Sequence, residues 1–188
     1  MVCGIYFAGI HAPSPPPENH LDMMRKLLFS LTARRPCRLI TIDDQPYLER
    51  YFLARLMGMT FYLHRFVSSD DERAVHDHPW SWSAALILAG GYREERLKHF
   101  DPEKGWASTW RRLFPGRINW ISTRAFHRIT APKPNTWTLF IHGPRVKSWG
   151  FLEKTERGLE YLLPAHCKGT RNWWETAPAG ADAGRVPY

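Results

Sequence analysis

Cysteine is scarce in this chain of 188 residues: Cys3, Cys37 and Cys167, an odd number at wide spacing with no C-x-x-C pair. That excludes a disulfide scaffold and fits a reducing compartment. No apolar run reaches the ~20 residues that a helix needs to cross a bilayer. The opening M-V-C-G-I-Y-F-A-G-I has no basic n-region and only a short apolar run, a poor secretory signal. The expectation is a cytoplasmic chain with no membrane segment. Internal repeats are absent. Acidic residues are in deficit: 18 Asp and Glu against 26 Lys and Arg leave a net charge of +8. That balance favours anionic partners. The basic residues are scattered rather than blocked, so a small anionic ligand is the stronger expectation and nucleic acid the weaker.

What the chain does have is apolar and aromatic substance: 44% hydrophobic, 14% aromatic and nine tryptophans. This composition is globular, and the length suits one domain with a real core. Residues 11–18, H-A-P-S-P-P-P-E, read as an extended spacer. Asn19 then offers an N-cap. Leu21, Met24, Leu28 and Leu31 recur at helical spacing, and Arg34-Arg35-Pro36 ends the pattern. A helix over about 20–33, packed through that face, is expected. Strands follow over 38–42, 47–56 and 59–67, although 47–56 also admits a helix. Further strands are expected over 84–89, 116–121, 127–130, 136–142, 148–152 and 159–162, separated by Gly, Pro and Asp turns. The charged stretch 92–115 is longer than a tight hairpin needs and admits two readings: one with irregular loop near the barrel mouth, where Lys104, Arg111 and Arg112 meet an anion, and, with equal weight, a solvated hairpin. Trp173 and Trp174 are expected to dock on the body, and the Ala- and Gly-rich end to be flexible. The divisions are an N-terminal segment and helix (1–36), a β-barrel (37–163) and a C-terminal extension (164–188).

The stretch that organises the rest is A-V-H-D-H-P-W-S-W-S-A-A-L-I-L-A-G-G-Y, residues 74–92. His76 and His78 are two apart, and on an extended strand that spacing puts both on one face, where two imidazoles can grip one cation. A histidine pair alone is a weak signal; His127, opening a later strand, supplies a third. His64, on a strand with Tyr62 and Phe66, is more simply a hydrogen-bonded core residue than a fourth ligand. Asp77, between the pair, should point away from the metal face. An acceptor fixing a ligand's second ring nitrogen is expected from Asp70, Asp71 or Glu72.

These residues resemble the cupin superfamily. Its first motif, G-x5-H-x-H-x(3,4)-E-x6-G, is matched by His76, His78 and Gly90. Its glutamate position falls on Ser83 and its leading glycine on Asp70. Its second motif, G-x5-P-x-G-x2-H-x3-N, is matched by Gly116 and His127. Ser122, Arg124 and Ala131 stand at the other three positions. The segments H-D-H-P-W, G-G-Y and W-T-L-F-I-H-G-P-R-V-K-S-W-G-F also look like those of uncharacterised bacterial and phage cupin-like proteins. The resemblance implies a mainly β, double-stranded β-helix (jelly-roll) barrel beside the N-terminal helix, and a homodimer. It implies one divalent metal ion on His76, His78 and His127, without the carboxylate ligand. That ligand set is similar to the thiol dioxygenase branch.

Three neutral imidazoles suit several metals, zinc, nickel, manganese, copper and iron among them, and leave positions open. Because many three-histidine cupins are dioxygenases, the resemblance favours Fe(II) and an oxidoreductase acting on a small anionic or aromatic substrate. A cupin that holds a ligand without turnover is the alternative. A 2-oxoglutarate-type oxygenase, with Arg145 binding the co-substrate, and a nucleic-acid role rank below both. Ser83, Tyr62, Tyr92 and Arg65 are the candidates for helping groups.

Overall fold

The computed structural model describes residues 19–42, 44–68, 74–101, 105–155, 158–163 and 172–188. The proline-rich stretch 11–18 and the acidic loop Asp70–Glu72 lie outside them. The helix α1 (His20–Thr32) is followed by β1 (Cys37–Ile42), β2 (Gln45–Leu56), β3 (Met59–Phe66), β4 (Val75–His76), β5 (Trp82–Ala89) and β6 (Tyr92–Asp101). Then come β7 (Gly105–Leu113), β8 (Ile118–Ser122), β9 (His127–Thr130), β10 (Thr136–His142), β11 (Phe151–Thr155) and β12 (Gly158–Leu162). Two six-stranded sheets result, in the orders β1-β2-β3-β10-β5-β8 and β12-β11-β4-β9-β6-β7. Every strand pair in them is antiparallel. This is the mainly β jelly-roll with one N-terminal helix that the cupin resemblance implies.

Strand β5 shows how the sequence builds the inner wall. Its burial alternates strictly: Ser83, Ala85, Ile87 and Ala89 point in, the residues between them half out. Gly90 and Gly91 then turn the chain with φ of 79° and 145°. A Cβ on Gly90 would lie 2.3 Å from Thr136 Oγ1, so the turn takes only glycine. The interior holds clusters of Tyr47, Leu48, Phe66, Ile87, Tyr92 and Leu113, and of Tyr62, Ala85, Phe140 and Trp173. A further cluster (Cys37, Tyr51, Leu63, Ala89 and Trp137) packs with Leu28 and Phe29 of the helix.

Two expectations are corrected and one alternative is decided. Of the two readings of 92–115, the structure has the hairpin: β6 and β7 pair in register from Tyr92↔Leu113 to Asp101↔Gly105 with one bulge. The helix is capped as expected, with Asn19 Oδ1 accepting from Asp22 N at 2.9 Å. Yet it packs through Leu28, Phe29 and Thr32, while Leu21, Met24 and Leu31 are exposed. Residues 172–188, whose composition reads as flexible, are docked. Cys37 N–H donates to Pro178 O, and the N–H groups of Gly180 and Ala181 donate to Arg35 and Ala33 carbonyls, all at 2.9 Å. Trp173 is buried and Trp174 stacks on Phe52 at 4.4 Å, as expected of that pair. Among the described residues no helix is long and apolar enough to cross a membrane.

Candidate metal centre

Strand β4 is only two residues long, and its partners place it. His76 pairs with Phe151 on one side and with His127 on the other. That register sets two of the three histidines directly opposite each other across a strand pair. His78, two residues on, returns to the same side. The three rings lie 4.8–5.2 Å apart, centroid to centroid. One ring nitrogen from each falls within 4.8 Å of the others. His127 is buried, while His76 and His78 are half-buried, so the cluster is reachable from solvent.

The donor set fits a cation. Nε2 of His78 and Nε2 of His127 are 2.8 Å apart. Two neutral rings can face one another so closely only around a shared proton or a cation. The other nitrogen of His127 decides its tautomer: Nδ1 is 2.8 Å from Glu94 Oε1. Burial pushes Glu94 up, but the hydrogen bond from His127, with Asn119 and Arg96, outweighs it and holds its pKa below the usual carboxylate value. An ionised carboxylate only accepts. His127 Nδ1 therefore carries the proton, and Nε2 turns its lone pair to the cluster. A carboxylate behind an imidazole is the arrangement that orients histidine ligands of metals.

Glu94 is completely buried and ringed by donors. Asn119 Nδ2 gives 2.8 Å, Arg96 Nε 3.0 Å, and Arg111 Nη1 stands at 3.8 Å. No local motif marked this residue, because its link to His127 arises only from β6–β9 pairing. Asp77 behaves as expected, facing away from the ligands. Its carboxylate accepts from Gly150 N–H at 2.8 Å, from Tyr161 Oη at 3.1 Å and from Lys147 Nζ. It borders an open groove of about 380 Å³ lined also by Phe126 and Ser148.

The other sequence candidates are dispersed. Ser83 points inward and is completely buried. Its hydroxyl has no hydrogen-bond partner among the described residues. Tyr92 is buried and its hydroxyl accepts from Asn119 at 3.3 Å, beside Glu94. Tyr62 is buried among His142, His64 and Trp173. Arg65 is not in the barrel interior: it lies on the other face, bonded to Glu49, Asn135 Oδ1 and the carbonyls of Val186 and Pro187. Arg145 is exposed and donates to Lys147 O at 3.2 Å. Arg112 is exposed, and the side chain of Lys104 lies outside the described set. His64 accepts at Nε2 from Arg50 Nε at 3.0 Å, as a core histidine should.

No protein-family model matches the chain, and no curated protein does. Solved structures do, at low likeness. Hydroxypropylphosphonic acid epoxidase from S. wedmorenis is 17% identical over 58% of this chain, at a TM-score of 0.43; the chain spans 55% of that enzyme. KdgF from Halomonas sp. is 18% identical over 57% of this chain and 94% of its own, with a TM-score of 0.43. Oxalate decarboxylase from Bacillus subtilis is 13% identical, covering 61% of this chain and 28% of its own, with a TM-score of 0.45. The fold is the two-sheet antiparallel arrangement described above, and it brings the three motif histidines to one point.

Proposed function

We propose that this chain is a mononuclear metal-binding cupin in which His76, His78 and His127 hold one divalent ion. Fe(II) is the favoured ion, and the favoured activity is that of a dioxygenase-type oxidoreductase on a small anionic or aromatic substrate. The observation that carries the reading is the convergence of three imidazoles whose buried member is oriented by Glu94. Bound Fe(II) would supply one-electron chemistry with dioxygen and Lewis acidity toward a chelating substrate. The chain's own residues do the rest. Glu94 keeps the proton of His127 on Nδ1. Trp80, stacked on His78 at 5.2 Å, and Phe140 give the site an apolar wall that excludes water and accepts a flat ligand. Three neutral ligands leave the ion its full double charge, which favours an anionic substrate. A cytoplasmic setting and a homodimer belong to the same reading.

The second reading is binding without turnover. Two observations favour it: Ser83 stands where cupins carry a carboxylate, and burial pushes both Tyr62 and Tyr92 upward in pKa, so neither exchanges protons readily near neutrality. Oxygen-electrode measurements on anaerobically Fe(II)-loaded protein, with a panel of aromatic acids and small carboxylates, separate the two. Substrate-dependent oxygen uptake that disappears in His76→Ala supports the enzyme; tight ligand binding without uptake across the panel supports the binding protein.

A further inference from the structure

We propose that Arg38, Arg50 and Arg55, grouped about Tyr62, His64 and His142, seat the anionic group of a small ligand whose other end faces the three histidines. This names the recognition element of the site proposed above and rests on that reading.

The argument begins with strand register. Arg38 stands directly opposite Arg50, Arg50 opposite His64, and His64 opposite Thr138. This row crosses four strands and contains no carboxylate. Like charges directly opposed across a strand pair repel, and an anion seated between Arg38 and Arg50 relieves that repulsion. Arg50 Nε donates to His64 Nε2 at 3.0 Å. The neutral His64 ring therefore keeps its proton on Nδ1, as a further donor. The Arg50 guanidinium lies 5.5 Å from the Tyr62 ring, and Arg38 5.0 Å from the Trp173 ring that stacks beside it. Arg55, exposed, stands opposite Thr60, and Thr60 stands opposite His142, so a second row on the same sheet face brings Arg55 toward that ring. The region thus combines positive charge with hydrogen-bond donors.

An aromatic wall joins this region to the histidine cluster. His64 stacks on Phe140 at 4.8 Å, and Phe140 lies 6.1 Å from His78. On the parallel path Trp80 stacks on His78 at 5.2 Å and on His142 at 4.1 Å. A ligand with an apolar or aromatic body and a terminal carboxylate or phosphate matches that sequence of surfaces. Guanidinium forks bind either anion in the bidentate manner.

The test uses chelator-treated full-length protein, so that anion binding is read without metal. Inorganic phosphate, benzoate and neutral benzyl alcohol are titrated by isothermal calorimetry. The expected result is binding of at least one anion and none of the alcohol. The double variant Arg38→Ala, Arg55→Ala should weaken it roughly tenfold or more, with an unchanged circular dichroism spectrum. Arg50→Lys, which keeps the charge but loses the fork, should weaken it as well. Stronger binding of phosphate or of benzoate identifies the anion. No anion binding, or binding that the variants leave unchanged, overturns the proposal. Wild type that takes up metal but no anion would overturn this inference alone; anion binding without any metal uptake would overturn the metal reading alone.

Discussion

At the scale of single residues, the centre depends on a side chain that is not a ligand. Glu94 accepts the Nδ1 proton of His127 and is itself held ionised by surrounding donors. Glu94→Gln keeps the shape and loses the charge. It should weaken metal binding by about 10–100-fold, measured by competition with a chromophoric chelator, with metal still bound at saturation. Unchanged affinity would show that Glu94 is only structural. Cys37 gives a second residue-level prediction. Burial, then the Glu49 charge, pushes its thiol up to about 12, and the thiolate is the reactive form. Native protein treated with iodoacetamide at about pH 8 should leave Cys37 unmodified by peptide mass mapping, whereas urea-unfolded protein should be labelled; labelling of the native chain would contradict its burial.

His142 links residue chemistry to stability. Burial lowers its pKa from 6.5 to about 4, with the Arg50 and Arg55 charges acting the same way against a hydrogen bond to Gly143 that raises it. His64 is lowered too, first by burial. A base with a depressed folded pKa stays neutral in the fold while the unfolded chain takes up the proton. Its contribution is therefore present above 6.5 and is lost as pH falls from 6.5 toward 4. For His142 the full loss is on the order of 3 kcal/mol. Urea midpoints should fall between about pH 7 and pH 5, and His142→Asn should flatten that fall. A wild-type midpoint that does not move would contradict the burial of these rings in neutral form.

At the scale of elements, legibility followed locality. The capped start of α1, the strands over 84–89 and 136–142 and the His76–His78 pair all depend on residues a few positions apart, and all could be read from the chain. The hairpin β6–β7 could be read only as an alternative to irregular loop. Its charges occur on both faces, which reads as solvated loop. In the fold, Glu94 is buried and paired with half-buried Arg96 near Asn119, with exposed Arg111 at 3.8 Å, so that inward charge is compensated rather than solvated. The face of α1 was misjudged for a related reason. Leu21, Met24 and Leu31 keep helical spacing, but the sheet meets the helix at Leu28, Phe29 and Thr32.

The closing residues are the other element that composition misread. Ala and Gly describe a mobile end, but Arg65 and Glu49 hold it. Arg65 Nη1 donates to Val186 O at 2.7 Å, Val186 N–H donates to Glu49 Oε1 at 2.8 Å, and Arg185 donates to Phe29 O at 2.8 Å. Arg65→Leu would strand a buried carboxylate and should destabilise the protein by about 3–5 kcal/mol in urea unfolding. Deleting residues 185–188 removes these terminal hydrogen bonds together with the contacts of Arg185 and Tyr188 on the Phe29 ring, and should cost at least about 1–3 kcal/mol. Both variants should bind metal as wild type does below their melting temperatures, because this cluster lies on the face of β3 opposite His64. Loss of metal from a folded tail-deletion variant would contradict that separation.

At the scale of the whole molecule, two six-stranded sheets carry the site in divided form. His76, His127 and Glu94 belong to the sheet of β4, β6 and β9, and His78 follows β4 two residues on. The arginine row and most of the aromatic wall belong to the facing sheet, on β1, β2, β3 and β10. Strand alternation showed which residues share a face, but not which face of one sheet meets the other. That is why His64 was legible as a core histidine while its partner Arg50 was not. In the proposed arrangement part of the net charge of +8 is local, since Arg38 and Arg50 stand on the sheet that faces the three histidines.

The most direct test of the central claim is metal content by mass spectrometry on untagged protein purified without chelator and resupplied anaerobically with Fe(II), beside His76→Ala and His127→Ala. Close to one equivalent of metal in wild type, lost from both variants while their circular dichroism is unchanged, is the predicted result. A wild-type chain that holds no Fe(II), Zn(II), Mn(II) or Ni(II), or metal retained by both variants, would contradict the three-histidine centre.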